Sequence, residues 1–127
     1  MTRRARIVIG LVAAAAIATG CASGNAGGPA PSAPAGGAVI TASGLAFDRR
    51  ELDVPAGRAF PLLFENRELS PHNVAIYPVG SDVALFVGET FSGTSARTYQ
   101  VSSLAAGTYR FRCDVHPDMS GTLIAQS

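Results

Sequence analysis

The stretch AGTYRFRCDVHPDMSGTL, residues 106–123, decides the fold of this chain because two strand-like segments flank a short loop in it. In its TYRFRC segment polar and large side chains alternate, so Tyr109, Phe111 and Cys113 should share the core-facing side of a strand. The loop that follows gathers a thiol, an imidazole and a thioether, although the whole chain has only two Cys, two His and two Met. The stretch therefore predicts a hairpin with a chemically unusual loop.

The rest of the C-terminal part of the chain has the same strand-like character. Segments rich in β-branched and aromatic residues recur between Gly, Pro, Asn and Ser, and no helical period runs through them, which predicts an all-β sandwich of about seven to eight strands. Pro61 lacks an amide donor, so its strand should lie at an edge or carry a bulge. The stretch 79–94 is compatible with a short helix, an irregular strand or both. We predict strands at 38–47, 51–55, 58–66, 72–78, 95–101, 107–113 and 120–126.

The HNVAIY segment, residues 72–77, carries the other distinctive side chain. Alternation directs His72 toward the core with every second residue after it, and turns Asn73 and Tyr77 to the opposite face. His72 and Cys113, far apart in sequence, should therefore meet at one end of the same core.

The N-terminal segment resembles a targeting signal. Three arginines precede an apolar run over residues 7–18, which is too short to span a hydrocarbon core of roughly 30 Å. We therefore predict a signal peptide over residues 1–20, exported by the Sec or the Tat route. The run ends in ATGC, which resembles a bacterial lipobox, so we expect cleavage before Cys21 and lipidation of its sulfur. The alternative is an ordinary secreted protein that is cleaved nearby, with Cys21 lost or free.

Residues 21–37 contain mainly Gly, Ala, Pro and Ser, and they cannot bury enough apolar surface to offset the entropy of ordering. They predict a flexible linker that tethers a folded domain, residues 38–127, to a membrane, since more than one buried acyl chain anchors stably. That domain has seven Arg, no Lys and nine acidic residues, a formal net charge of −2. The absence of a basic stripe argues against binding to nucleic acid.

Four side chains carry ligand chemistry. Each has an ordinary structural explanation on its own, because a buried Cys often fills a core and a buried His is often only hydrogen-bonded. Together they match the trigonal His₂Cys set with a weak axial Met that is diagnostic of type 1 copper. Soft sulfur ligands favour Cu(I), and the imidazoles retain Cu(II). The predicted ligands of one copper ion are His72, Cys113, His116 and Met119.

Other interpretations of the same residues stay open. A zinc site would need Asp114 or Asp118 in place of Met119, although the chain has no paired Cys. Nucleophilic catalysis by Cys113 would need an exposed thiolate, an orienting group and oxyanion donors. A copper storage or delivery protein would present similar ligands. A purely structural exported domain would make the loop a coincidence.

From about residue 38 to the end, the chain resembles the cupredoxins of the plastocyanin/amicyanin group. SPHNVAIY resembles the strand of the first ligand, AGTYRFRCDVHPDMSGTL resembles the C-terminal ligand loop, and the Cys-x2-His-x2-Met spacing is the short form seen in amicyanin. The resemblance implies a Greek-key β-sandwich in which His72, Cys113 and His116 are equatorial ligands and Met119 is axial. It also implies that the side chain of Asn73 ties its strand to the ligand loop.

The resemblance further implies a one-electron carrier, not an enzyme, that acts as a monomer between redox protein partners. With Cys21 lipidated, it would face the periplasm or the cell exterior. The resemblance places the edge of His116 in an apolar docking patch to which Pro117 contributes. Asp118 adds a charge to this loop.

Overall fold

The computed structural model describes residues 31–127, which form nine β-strands in two sheets. The predicted signal peptide, Cys21 and the first part of the predicted linker lie outside the described residues. Over residues 31–127 there is no helix long and apolar enough to cross a membrane. The strands are β1 (Ala38–Ser43), β2 (Ala46–Phe47), β3 (Glu51–Pro55), β4 (Phe60–Asn66), β5 (Ala75–Pro78), β6 (Phe86–Val87), β7 (Ser95–Val101), β8 (Gly107–Arg112) and β9 (Ser120–Gln126).

One sheet has the strand order β2-β1-β4-β7 and the other has the order β3-β9-β8-β5-β6. The pairs β1–β4 and β3–β9 are parallel, and the remaining neighbours are antiparallel. The all-β prediction is confirmed, and the additional strands are the two-residue β2 and β6. The core between the sheets includes fully buried side chains of both: Ile40, Phe60, Leu62, Phe64, Ile76, Phe111 and Leu123.

The predicted strand at 38–47 is interrupted by a tight turn, because Gly44 and Leu45 both have positive φ, 62° and 56°. Two such residues between paired strands are typical of a type I′ hairpin turn. A leucine in this left-handed conformation is unusual and gives no sequence signal. The backbone amides of both residues donate to the carboxylate of Glu68, at 3.0 Å each, and this contact holds the turn.

Pro61 lies in a central strand, so the prediction of an edge or bulge was wrong. Its position is tolerated because the parallel pairing of β4 with β1 begins one residue later, where Leu62 is opposite Ala38. Beside Pro61 stands Gly37, on which any Cβ would collide with the proline carbonyl and ring. The missing amide therefore falls just beyond the end of the β1 ladder.

The strand predicted to start at His72 begins later, at Ala75. His72 instead forms an isolated bridge with Phe91, in which each backbone amide donates to the other residue's carbonyl at 3.1 Å. The ambiguous stretch 79–94 contains no helix, and its regular structure is limited to β6 and this bridge. His72 is thus fixed by pairing just before β5 starts.

Gly121 on β9 leaves room for the ring of Phe111, its cross-strand partner on β8, and its replacement by alanine should destabilise the fold. An added Cβ would collide with the ring of Phe111 and lie 2.6 Å from the carbonyl oxygen of Arg50. We expect Gly121→Ala to lower the free energy of unfolding by about 1–3 kcal/mol, as overpacking typically does. Urea unfolding of copper-free protein measures this. Thr108→Ala, exposed on β8, is the control, and an equal loss in both variants would contradict the prediction.

Candidate metal centre

Three side chains from two distant segments meet at one pole of the sandwich. The Nδ1 atoms of His72 and His116 lie 3.2 Å apart, and each is 3.8 Å from the sulfur of Cys113. Their potential ligand atoms all lie within 4.8 Å of one another. His72 precedes β5, Cys113 directly follows β8, and His116 lies in the loop that leads to β9. The hairpin geometry therefore brings the loop ligands to the bridge that fixes His72.

Met119 returns to the same place because the loop closes on itself. The amide of Cys113 donates to the carbonyl of Met119, and the amide of Met119 donates to the carbonyl of His116, both at 2.9 Å. The side chain of Met119 is buried in the core cluster that also contains Cys113. The short loop thus holds three of the four predicted ligands in one compact turn.

The donor set fits copper. His72 and Cys113 are fully buried, and His116 is half-buried. Two imidazole nitrogens and a thiolate, with a thioether in the same loop, are the soft and borderline ligands that copper prefers. Because the Cys113 thiol is inaccessible to solvent, the geometry disfavours its use as a catalytic nucleophile.

The zinc alternative required a carboxylate beside the imidazoles. Among residues 31–127, the one group of three or more His, Cys, Asp or Glu ligand atoms contains His72, Cys113 and His116 and no carboxylate. Asp114 turns away from it toward the hydroxyl of Tyr77. The geometry gives zinc no fourth hard ligand.

Glu68 orients His72. Its Oε1 lies 2.6 Å from Nε2 of the imidazole, and because a carboxylate accepts, Nε2 carries the proton and Nδ1 presents its lone pair to the site. Hydrogen bonds from the amide of Leu45, then from His72 and Gly44, lower the pKa of Glu68 and outweigh the opposing effect of burial. Sequence reasoning missed this residue, although an acid four positions before the predicted ligand was a usable signal.

Asn73 joins the His72 segment to the ligand loop. Its Oδ1 accepts the amide of Asp114 at 2.8 Å, and its Nδ2 donates to the Asp114 carboxylate at 3.1 Å and to the carbonyl of Gly88 at 3.2 Å. The amide is almost fully buried and satisfied on both sides. Asn73 therefore fixes the loop immediately after Cys113.

Asp114 is the centre of a second network that sequence reasoning missed. Its Oδ1 accepts the hydroxyl of buried Tyr77 at 2.6 Å and Nε of Arg112 at 3.2 Å. Burial would raise the pKa of Asp114, but hydrogen bonds from Tyr77, Asn73 and Arg112 lower it. The pKa of Tyr77 is raised, first by its bond to Asp114 and then by burial.

Exposed apolar side chains occur in three of the segments that build this pole. Leu45 lies in the turn held by Glu68, Leu69 follows Glu68, and Val115 precedes His116; they are 54%, 86% and 42% exposed. Pro117 and Asp118 are also exposed. The segments that build this pole thus expose apolar side chains, and the loop also carries an exposed charge at Asp118.

The lowered pKa values of Glu68 and Asp114 predict acid sensitivity of the copper-free fold. A carboxyl whose pKa is lower in the folded state contributes stability above its unfolded pKa, and that contribution is lost as the pH falls through the folded value. Urea unfolding between pH 7 and pH 3 should show a decline that Glu68→Gln combined with Asp114→Asn reduces. The same slope in both proteins would contradict this prediction.

Comparisons with known proteins agree with this geometry. The family model described as a cupredoxin-like domain matches residues 10–125. Amicyanin-alpha from Methylorubrum extorquens is 34% identical over 94 residues, which is 74% of this chain and 76% of the relative. The Cu(I) form of an amicyanin variant is 28% identical with a TM-score of 0.55, covering 72% of this chain and 83% of the other. Reduced auracyanin from Roseiflexus castenholzii, 20% identical, shares the fold with a TM-score of 0.61 over 70% of this chain and 95% of its own.

Proposed function

The chain belongs to the cupredoxin-like family and its cofactor is one type 1 copper ion, and from this premise we propose that it carries single electrons between redox proteins. In this proposal, His72, Cys113 and His116 are the equatorial ligands and Met119 is the axial ligand. The observation that carries it is the convergence of two imidazole nitrogens and one buried thiol within 4.8 Å of one another.

The chain's own residues suit this role because hydrogen bonds within the protein hold them in place. Copper, when bound, supplies a one-electron couple between Cu(I) and Cu(II). Glu68 fixes the tautomer of His72, and backbone hydrogen bonds fix the loop from Cys113 to Met119. Ligands held in this way move little between the two oxidation states, so the barrier to electron transfer is small. No substrate bond is made or broken, and the protein is therefore not an enzyme in this proposal.

His116 is the exit for the electron in this proposal. Its imidazole is the half-buried member of the site, and the exposed apolar side chains near it offer a docking surface for redox proteins. Pro117 adds to this surface, and Asp118 places a charge at its edge. The net charge of −2 after residue 37 supports protein partners over nucleic acid.

The predicted location completes the proposal. The signal over residues 1–20, the lipidated Cys21 and the linker over 21–37 tether a monomeric domain to a membrane, facing the periplasm or the cell exterior. Mass spectrometry of the protein from a membrane fraction measures the lipid directly. An unmodified N-terminus elsewhere in the chain would contradict the tether but leave the copper site intact.

Repeated redox cycling tests electron transfer against copper storage or delivery. The copper-loaded mature protein is reduced and reoxidised several times while its metal content and visible spectrum are measured. We expect rapid, reversible bleaching and recovery with the copper retained. Loss of copper on each reduction would contradict electron transfer and favour storage or delivery.

Replacing Met119 with leucine tests the proposed axial ligand. Leucine has a similar volume but cannot donate to the metal, so Met119→Leu should retain the colour and raise the reduction potential. We expect a shift of about tenfold in the Cu(I)/Cu(II) ratio at a fixed potential, about 59 mV for one electron. Voltammetry measures this shift, and a colourless folded variant would contradict a weak axial role.

A further inference from the structure

We propose that Asp114, the residue after Cys113, is a positioning residue that sets the reduction potential of the copper, because its carboxylate is held by donors from three residues on two neighbouring segments. The inference rests on the copper site and not on turnover with redox partners. It concerns a residue that contributes no atom to the cluster of His72, Cys113 and His116.

The contacts of Asp114 fix it from several directions. Tyr77 on β5 donates its hydroxyl at 2.6 Å, Arg112 at the end of β8 donates Nε at 3.2 Å, and Asn73 donates Nδ2 at 3.1 Å. The backbone amide of Asp114 donates back to Asn73 at 2.8 Å. Both ends of the residue are therefore tied, and the bond from Cys113 to Asp114 cannot reorient without breaking several hydrogen bonds.

The donors to Asp114 are themselves held. The ring of Tyr77 is buried, and the guanidinium carbon of Arg112 lies 4.1 Å from its centroid, so the cation packs on the ring while it bonds the carboxylate. Arg112 also reaches the exposed carboxylate of Asp82 at 3.5 Å. Arg110 lies over the same ring at 5.5 Å and reaches Asp82 at 3.4 Å. Arg112 is therefore the cation in direct contact with Asp114, and Arg110 and the solvated Asp82 are charges without a direct contact to it.

A fixed charge at this position acts on the redox equilibrium. The Asp114 side chain keeps only 30% of its accessible surface, so water screens it less than a free surface carboxylate. A negative charge near the metal stabilises the more positive oxidation state and lowers the reduction potential, and the Arg112 cation acts in the opposite direction. The balance between these two charges, held in place by Tyr77, would set the potential.

Asp118 provides a matched control in the same loop. It is exposed, and among the described residues its side chain makes no hydrogen bond or ion pair. It has the same charge as Asp114 and directly precedes a proposed ligand, Met119. If removing the two charges shifts the reduction potential by different amounts, the difference arises from the fixed position of Asp114 and not from proximity to a ligand in sequence.

Voltammetry of four copper-loaded variants tests the proposal. Asp114→Asn should raise the potential by about 59 mV, a tenfold change in the Cu(I)/Cu(II) ratio, and Arg112→Gln should lower it. Asp118→Asn should shift it several-fold less, and high salt should abolish that shift. Tyr77→Phe keeps both charges, so it should leave the reduction potential near the wild-type value. The copper EPR signal should broaden in this variant as the loop loosens. Loss of stability alone does not shift two variants in opposite directions.

A second measurement needs no copper. Hydrogen exchange of the Asp114 amide in the copper-free protein should accelerate about fivefold in Tyr77→Phe, the factor that corresponds to the loss of one hydrogen bond of about 1 kcal/mol. If the wild-type protein is blue, either of two results would overturn this inference. One is a potential shift in Asp114→Asn no larger than the shift in Asp118→Asn, and the other is a shift in the same direction in Asp114→Asn and Arg112→Gln. A colourless wild-type protein would instead refute the copper site itself.

Discussion

Replacing Cys113 with serine should abolish the visible absorption of the copper-loaded protein. The predicted colour arises from charge transfer between the thiolate and Cu(II), and a hydroxyl supplies no such donor. Cys113 is fully buried, and the only other sulfur among residues 31–127 is the thioether of Met119, which cannot form a thiolate. We expect the affinity for copper to fall by more than the roughly 100-fold typical of changes to residues that only support ligands.

The control for this result is the fold of the copper-free variant. A serine hydroxyl without a partner at this site costs about 1–3 kcal/mol, so the protein should remain folded but less stable. Cys113→Ala avoids the buried hydroxyl and should be equally colourless. Circular dichroism and urea unfolding establish folding in both variants, and an intense blue colour in either one would contradict the thiolate assignment.

Removing the carboxylate of Glu68 should have the second largest effect. Glu68→Ala deletes the acceptor for Nε2 of His72 and for the amides of Gly44 and Leu45. The imidazole can then change tautomer and rotate, and the left-handed turn loses its anchor. Outer partners of ligating histidines typically contribute 10–100-fold in metal affinity, and we expect a loss of that size.

Competition with a chromophoric Cu(I) chelator measures the affinity of the Glu68 variants. Glu68→Gln keeps the size and one oxygen acceptor, so it should give an intermediate loss. Glu65→Ala is the matched control, because Glu65 forms only a surface ion pair with Arg67 on the neighbouring stretch. Equal affinities for Glu68→Ala and Glu65→Ala would show that the carboxylate does not support His72.

The sequence predicts most of the sandwich because its strands have strong local patterns. The strands at 51–55, 95–101 and 120–126 were predicted with the bounds that the structure has. The proposed ligands could be chosen because Cys, His and Met are rare in this chain, so their spacing stands out. The core face of β4, with Phe60 and its alternate neighbours, also follows directly from period-two alternation.

Features that depend on tertiary contacts could not be predicted. Tyr77 lies on the face opposite to His72, as alternation requires, yet it is buried because Arg112 covers its ring. The turn at Leu45 depends on Glu68, which lies 23 residues away in sequence. Local sequence patterns contain no information about either of these tertiary contacts.

The supporting acids were missed for the same reason. Glu68 and Asp114 occur in polar loops, where a carboxylate is usually solvated and makes no specific contact. The bond between Asn73 and Asp114 joins residues 41 positions apart, and only the pairing of β5 with β8 brings them together. The structure therefore adds the residues that hold the site, beyond those that would bind the metal.

The absorption and EPR spectra of the Cu(II)-loaded mature protein test the central claim most directly. The account predicts an intense visible charge-transfer band and a small copper hyperfine splitting, as expected for a thiolate and two imidazoles in a trigonal arrangement. A colourless, folded protein with the large hyperfine splitting of tetragonal nitrogen and oxygen ligation would contradict it.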